Sequence, residues 1–223
     1  MASRSTTELS DEQIIQRVRS GGTACYAQLV RRYNQRVYRV VRAILRDDSE
    51  AEDVMQDAYL AAFRHLDGFV GRARFSTWLI RIAANQALDR LRKTGRFVPF
   101  DPTLAEARAR LIDARAAALA RDPEQQLGDR QIGRMLELAI EALPPPYRMA
   151  YVLRELEGLS TAHAAECLGV EEGTVKTRVH RARLLLREAL GREVGDAAAE
   201  VFPFVGERCQ RVTESVLEQI TFP

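Results

Sequence analysis

The sequence predicts an all-α protein: two small helical domains joined by a long linker, with a C-terminal extension. Three observations predict it. Period-2 alternation of β-branched residues never persists, whereas apolar residues recur at spacings of three and four. Glycine, proline and capping residues cut those periodic stretches into helix-sized pieces. One internal stretch, Gly95 to Arg121, holds few large apolar residues and reads as a tether between packed units.

The elements follow in order. Ser10, with Gln13 in the reciprocal position, caps a first short helix that stops at Gly21-Gly22. Thr23 to Arg46 carries one apolar stripe from Tyr26 through Val30, Val37 and Val41 to Ile44. Arg31, Arg32, Arg36, Arg39 and Arg42 lie mostly off that stripe, so this helix is expected to have a wet, basic back. Ser49 and Glu52 form a capping box for a third helix reaching Leu66, with Gly68 as terminator. After a loop from Asp67 to Arg74, a fourth helix is expected from Ser76 to Lys93.

Pro99 and Pro102 punctuate the linker. Asp122-Pro123 opens the second unit as an N-cap with proline at the first helical position. That helix reaches Ala142 and is broken by Pro144-Pro145-Pro146. Tyr147 to Glu155 forms the next, Ser160 caps one ending at Leu168-Gly169, and a last runs from Glu172 to Leu190. In the tail, Val212, Val216, Leu217 and Ile220 step at helical spacing and predict a short amphipathic helix covering part of one domain.

Composition excludes several classes. A 46% hydrophobic content over 223 residues suits a folded globular chain. No apolar run approaches the ~20 residues of a membrane span, and Met1 to Ser10 lacks a signal-peptide core. Cys25, Cys167 and Cys209 are odd in number and far apart, which fits a reducing cytoplasm better than a disulfide framework. His163 and Cys167 sit at i, i+4, but no second ligand pair exists and Cys167 falls on the apolar side, so the core reading is preferred over zinc. No phosphate loop, nucleophile elbow or metalloprotease motif occurs, and no catalytic set, metal or cofactor is expected.

The net charge of +2 hides a strong segregation. Asp47 to Phe63 holds six acids and no base. Gly71 to Arg96 holds seven bases against Asp89 alone, and Thr174 to Arg192 six bases against Glu188 alone. Any single block is ordinarily a solvated helix face. Here, however, the first basic block carries Phe75 and Trp78, the only Trp, with Phe69 just before it. Rings beside cations suit single-stranded nucleic acid, with stacking at ~1–3 kcal/mol per base. Phe75 reads as core, and Phe69, flanked by Gly68 and Gly71, as exposed. The second basic block lies on the last helix of a helix-turn-helix pattern, whose N-terminal part enters the major groove in such motifs. Leu168, Val170, Val175, Val179, Ala182 and Leu186 form its inner stripe and leave Thr174, Lys176, Thr177, Arg178, His180 and Arg181 partly or fully outward.

These residues carry a family resemblance. Asp48-Ser49-Glu50-Ala51-Glu52-Asp53-Val54-Met55-Gln56-Asp57-Ala58 resembles region 2.2 of bacterial sigma factors. Phe75 to Asn85, followed by Asp89-Arg90-Leu91-Arg92-Lys93, resembles regions 2.3 and 2.4. Leu143 to Arg148, Leu153 to Ser160 and Gly173 to Arg183 resemble region 4. Three motifs in the right order, with no recognisable region 3, are similar to the extracytoplasmic-function, or group IV, class.

The resemblance implies a division of the chain and of its roles. Region 2 would occupy residues 10–96, the linker 97–122, region 4 residues 123–191 and the extension 192–223. Asp53, Gln56 and Asp57 match the pattern that docks the RNA polymerase core, at its β′ clamp, with the β subunit as a further partner. Phe69 and Asn85 match positions enclosing a base flipped from the −10 strand, with Trp78, Arg81, Arg90, Arg92 and Lys93 completing the −10 surface. Thr174, Lys176, Thr177, Arg178, His180 and Arg181 match the face that reads the −35 element. An anti-sigma factor is implied as a further partner, alongside promoter DNA. His163 and Ala164 depart from the family pattern. Two other readings remain open at this level: a stand-alone helix-turn-helix regulator, and a sigma-mimicking adaptor that titrates an anti-sigma factor.

Overall fold

The computed structural model describes residues 9–95, 129–190 and 206–221. The expected linker, the Asp122-Pro123 start of the second unit and residues 191–205 lie outside the described residues. Among the described residues there are α-helices, two 3-10 turns and a π turn, and no strand.

α1 (Asp11–Arg19) has the predicted capping box: Gln13 N donates to Ser10 Oγ at 3.3 Å, and Ser10 N donates to Gln13 Oε1 at 2.9 Å. A 3-10 turn over Thr23–Cys25 leads into α2 (Tyr26–Leu45). α2 ends where Arg46 adopts a left-handed backbone with φ 62°. α3 (Asp48–Arg64) begins two residues earlier than the predicted cap requires. Its cap is Asp47, whose carboxylate accepts from Glu50 N at 2.8 Å, and not Ser49. The left-handed Arg46 turns the chain so sharply that the extended Asp47 already faces the orphan N–H groups. α4 spans Phe75–Lys93.

α2, α3 and α4 pack on one another around two buried tyrosines, and α1 adds Ile14, Ile15 and Val18. Tyr26 donates to the Tyr59 carbonyl at 2.8 Å, and Tyr59 donates to the Val30 carbonyl at 3.2 Å. Each hydroxyl thereby escapes the cost of an unpaired buried donor.

The second unit comprises α5 (Asp129–Ala142), α6 (Pro145–Tyr151), α7 (Thr161–Leu168) and α8 (Glu172–Leu190). α6 begins on the prolines themselves, because proline is tolerated in a first turn, and runs into a π turn over Val152–Leu156. Ser160 caps α7 by accepting from His163 N at 3.1 Å. Gly169, at φ 64°, closes it: Val170 N donates to Ala165 O and Gly169 N to Glu166 O, the Schellman arrangement.

The two units do not stand apart. α6 packs on α2 and α7 on α4. This corrects the wet, basic back predicted for α2 at Arg36, Arg39 and Arg42, while Arg31 and Arg32 are exposed as predicted. Arg39 is 7% exposed and reaches Glu157, whose side chain is fully buried, at 2.9 Å. Arg36 reaches the same carboxylate at 2.7 Å and donates to the Glu157 carbonyl at 2.8 Å. Arg42 pairs with Glu141 at 2.6 Å and Asp48 at 2.5 Å. In the opposite direction, Arg148, 1% exposed, donates to the carbonyls of Ala43 (2.6 Å), Leu143 (2.8 Å) and Glu141 (2.9 Å).

α9 (Glu207–Thr221) lies on α3 and α2 and buries Val212, Val216 and Ile220, in agreement with the amphipathic helix read from the tail.

Glu157→Ala leaves Arg36 and the buried Arg39, neighbours on α2, without their shared carboxylate. The substitution is expected to cost about 3 kcal/mol in urea unfolding, the range for removing one partner of a buried ion pair. A loss below 1 kcal/mol would show that the carboxylate does not hold the units together.

Candidate nucleic-acid and protein interfaces

The acids of α3 fall on two neighbouring flanks, because positions three and four apart share a helix face. Glu50, Asp53 and Asp57 form the outer one, and both aspartates are exposed. Asp48, Glu52 and Gln56 form the other, where Glu52 and Gln56 are half-buried beneath α9. The three residues predicted to dock polymerase are therefore not equivalent. Asp53 and Asp57 face solvent, while Gln56 Oε1 accepts from Ser215 Oγ at 3.0 Å.

The aromatic loop is built differently from the expectation. Phe69 was expected to be exposed, yet it is half-buried. Its ring lies 5.2 Å from Trp78 and 5.7 Å from Phe75, edge-on to the latter. Three aromatics at contact spacing exclude water from one another more effectively than one ring standing alone. Phe75 is core, as predicted. Arg19 positions this loop by donating from Nη2 to the carbonyls of Leu66 (2.5 Å), Phe69 (2.7 Å) and Asp67 (3.2 Å). Sequence reasoning missed Arg19, since no periodicity marks a cation that reaches some fifty positions along the chain. Its place in the last turn of α1 was the sole available signal.

Along α4, Trp78, Arg81, Asn85 and Arg92 repeat at three, four and seven positions and share one face. Asn85 and Lys93 are exposed, Trp78, Arg81 and Arg90 are half-buried, and Arg92 pairs with Asp89 at 2.7 Å. Arg81 pairs with Glu166 of α7, so the second unit touches the middle of this face.

On α8 the predicted inner stripe is inward: Val175, Val179, Ala182 and Leu186 are buried, and Leu168 and Val170 pack against the core. Lys176, Thr177, His180 and Arg181 are exposed, and Thr174 and Arg178 half-buried. Burial lowers the pKa of the Arg178 guanidinium. Thr177 donates to the Gly173 carbonyl at 3.0 Å, which leaves its hydroxyl oxygen free to accept. Arg183, one turn further on, pairs with Glu155 at 2.5 Å and braces α8 against the π turn. Cys167 is buried, and that burial pushes its thiol up to about 11, as a core residue should be. Among the described residues no cluster of three metal-ligating side chains occurs, and no helix is long and apolar enough to cross a membrane.

Comparison with known proteins covers both units. The family described as Sigma-70 region 2 matches residues 29–97, and Sigma-70, region 4 matches residues 133–186. The chain is 32% identical over 183 residues to the ECF RNA polymerase sigma factor SigW of Bacillus subtilis, covering 82% of this chain and 98% of that protein. It is 34% identical over 176 residues to the ECF RNA polymerase sigma-E factor of Escherichia coli, covering 79% and 92%. Among solved structures, CnrH in complex with the cytosolic domain of CnrY superposes with a TM-score of 0.50 at 27% identity, over 79% of this chain and 94% of that one.

Acid should loosen the flank of α3 that α9 covers. Burial pushes the Asp48 carboxyl up, but hydrogen bonds from Tyr38 and Arg42 and the charges of Arg42 and Arg208 outweigh it, so its pKa lies below the ordinary carboxylate value. A carboxyl depressed in the folded state contributes stability above its unfolded pKa of about 3.9 and loses it as the pH falls through the folded value. Urea unfolding between pH 7 and pH 3 should show an acid-side loss that is reduced in Asp48→Asn. Identical pH profiles for the two proteins would remove Asp48 as its source.

Proposed function

The chain belongs to the extracytoplasmic-function sigma factors of the sigma-70 family, and from that premise we propose how its surfaces divide the work of promoter recognition. As a sigma factor it directs core RNA polymerase to promoters through −35 and −10 recognition, and its family initiates transcription without catalysing a reaction of its own. The work is done by binding in the cytoplasm, where the polymerase is.

Asp53, Gln56 and Asp57 on α3 dock the β′ clamp. The exposure of the two aspartates and the absence of any base from Asp47 to Phe63 support this, since a single-sign surface attracts a basic partner. Phe69, Trp78 and Asn85 receive an unpaired −10 base, the rings stacking on its face and the amide meeting its edge. Arg81, Arg90, Arg92 and Lys93 hold the strand's phosphates. Because these contacts exist only with the open strand, their free energy shifts the melting equilibrium toward the bubble. Thr174, Lys176, Thr177, Arg178, His180 and Arg181 on α8 read the −35 duplex, where long cations and hydroxyls meet base edges and phosphates. Region 2 spans residues 10–96, region 4 residues 123–191, and an anti-sigma factor is a partner of the folded pair.

One observation carries the reading. The two family matches cover, in a single chain, an exposed acidic stripe, an aromatic–basic face and a helix-turn-helix whose last helix is basic, and this combination supports the reading. The Arg81–Glu166 pair adds a condition: Arg81 must exchange a carboxylate of α7 for DNA phosphate, so α7 and α4 part on promoter binding.

Asn85→Ala is expected to slow open-complex formation in run-off transcription while leaving core affinity unchanged. Phe69→Ala should do the same, with some loss of stability because the ring also packs on Trp78 and Phe75. Normal melting by both variants would remove the base-pocket assignment. Lys176→Ala and Arg181→Ala should each weaken −35 recognition by ~1–3 kcal/mol where the side chain reads a base edge. Unchanged promoter preference in both would remove that role from α8.

A further inference from the structure

The flank of α3 that carries Gln56 already has an occupant. Arg208 of α9 meets Glu52 at 2.7 Å and Asp48 at 3.6 Å, Arg211 meets Glu52 at 3.1 Å, and Ser215 donates to Gln56 at 3.0 Å. Val212 and Val216, fully buried, seal the contact from below. On the α2 side, the Asn34 amide donates to Thr213 Oγ1 and to the Cys209 carbonyl, each at 3.2 Å. α9 thus presents a helix bearing cations to the acids of α3, the same chemistry expected of the polymerase. It lies beyond both family matches, the second of which ends at residue 186.

At the Gln56 flank, steric demand makes the two partners exclusive, although Asp53 and Asp57 remain exposed. A helix with its side chains is ~10–12 Å across, and packed helices sit ~8–10 Å apart. A second basic helix cannot reach Gln56 while α9 fills that space. We propose that α9 is a resident occupant of the polymerase-docking face of α3, and that core polymerase must displace it to bind. The proposal rests on the sigma-factor reading above. Docked α9 lowers the apparent affinity for core in proportion to the fraction of chains left open. The segment is therefore a threshold: free sigma factor engages polymerase only where core concentration or a further signal overcomes the contact.

The test uses the full-length protein and purified core polymerase. Hydrogen exchange of the α9 amides is compared with and without core. Displacement predicts that their protection falls when core binds, and protection that stays or rises shows α9 remaining docked and overturns the proposal. In parallel, Kd for core is measured for the wild type, R208E/R211E and the milder R208Q/R211Q, which tests the idea if charge reversal unfolds the bundle. Both variants are expected to bind core more tightly, by about tenfold if α9 is docked nine-tenths of the time. Equal or weaker binding by the folded variants overturns the proposal while leaving the sigma-factor reading intact, since promoter-specific run-off transcription by the wild type reports on that separately. Failure of the wild type and of every variant to bind core or to support transcription overturns both.

Discussion

A carboxylate with no access to water sets the terms for this fold. Glu157 lies at the end of the π turn after α6, and its side chain is entirely buried. Buried alone, such a group would be neutralised or would unfold its surroundings. Two guanidiniums from α2 hold it, and they belong to the other helical unit. Arg148 makes the reciprocal contact, carrying a cation from α6 into three carbonyls, one of them at Ala43 of α2. Separating α6 from α2 breaks both sets of contacts at once, the Glu157 ion pairs and the Arg148 hydrogen bond to Ala43. Charges that sequence places on a solvated face are thereby turned into a joint.

That joint has consequences for the faces of α4 and α8 proposed to meet nucleic acid. With α6 held on α2, α7 comes to rest on α4, and Glu166 takes Arg81. The recognition face of α8 stays open, because its inner stripe is buried against α6 and α7 while Lys176, Thr177, His180 and Arg181 point away. The face of α8 proposed to meet DNA is thus presented, and the proposed face of α4 is partly occupied by its neighbour. The aromatic cluster of Phe69, Phe75 and Trp78 is ready-made, since Arg19 holds its loop by three backbone carbonyls and by the Asp67 carboxylate. If it takes up a base as proposed, a preformed cluster loses less entropy in doing so than a mobile ring does.

α3 shows how one helix serves several masters. Its inward face supplies Ala51, Met55, Ala58 and Tyr59 to the core. Its acids divide between solvent and α9 according to a 100° step per residue, so adjacent positions such as Gln56 and Asp57 have different partners.

Much of this was legible in the sequence. The capping box at Ser10, the stop at Gly169, the apolar stripes of α2 and α8 and the amphipathic tail follow from local rules. Those rules act over three or four residues, the distance at which helix geometry brings side chains together. The segregated charges and the helix-turn-helix pattern were legible for the same reason. What only the tertiary structure decided is where the arginines of α2 and α9 point, that Phe69 is sheltered, and that Asp47 rather than Ser49 caps α3. Each depends on a partner far along the chain or on a single backbone turn at Arg46. A charge read in isolation defaults to solvent. It is burial against a distant element, set by how whole helices pack, that turns it into a pair.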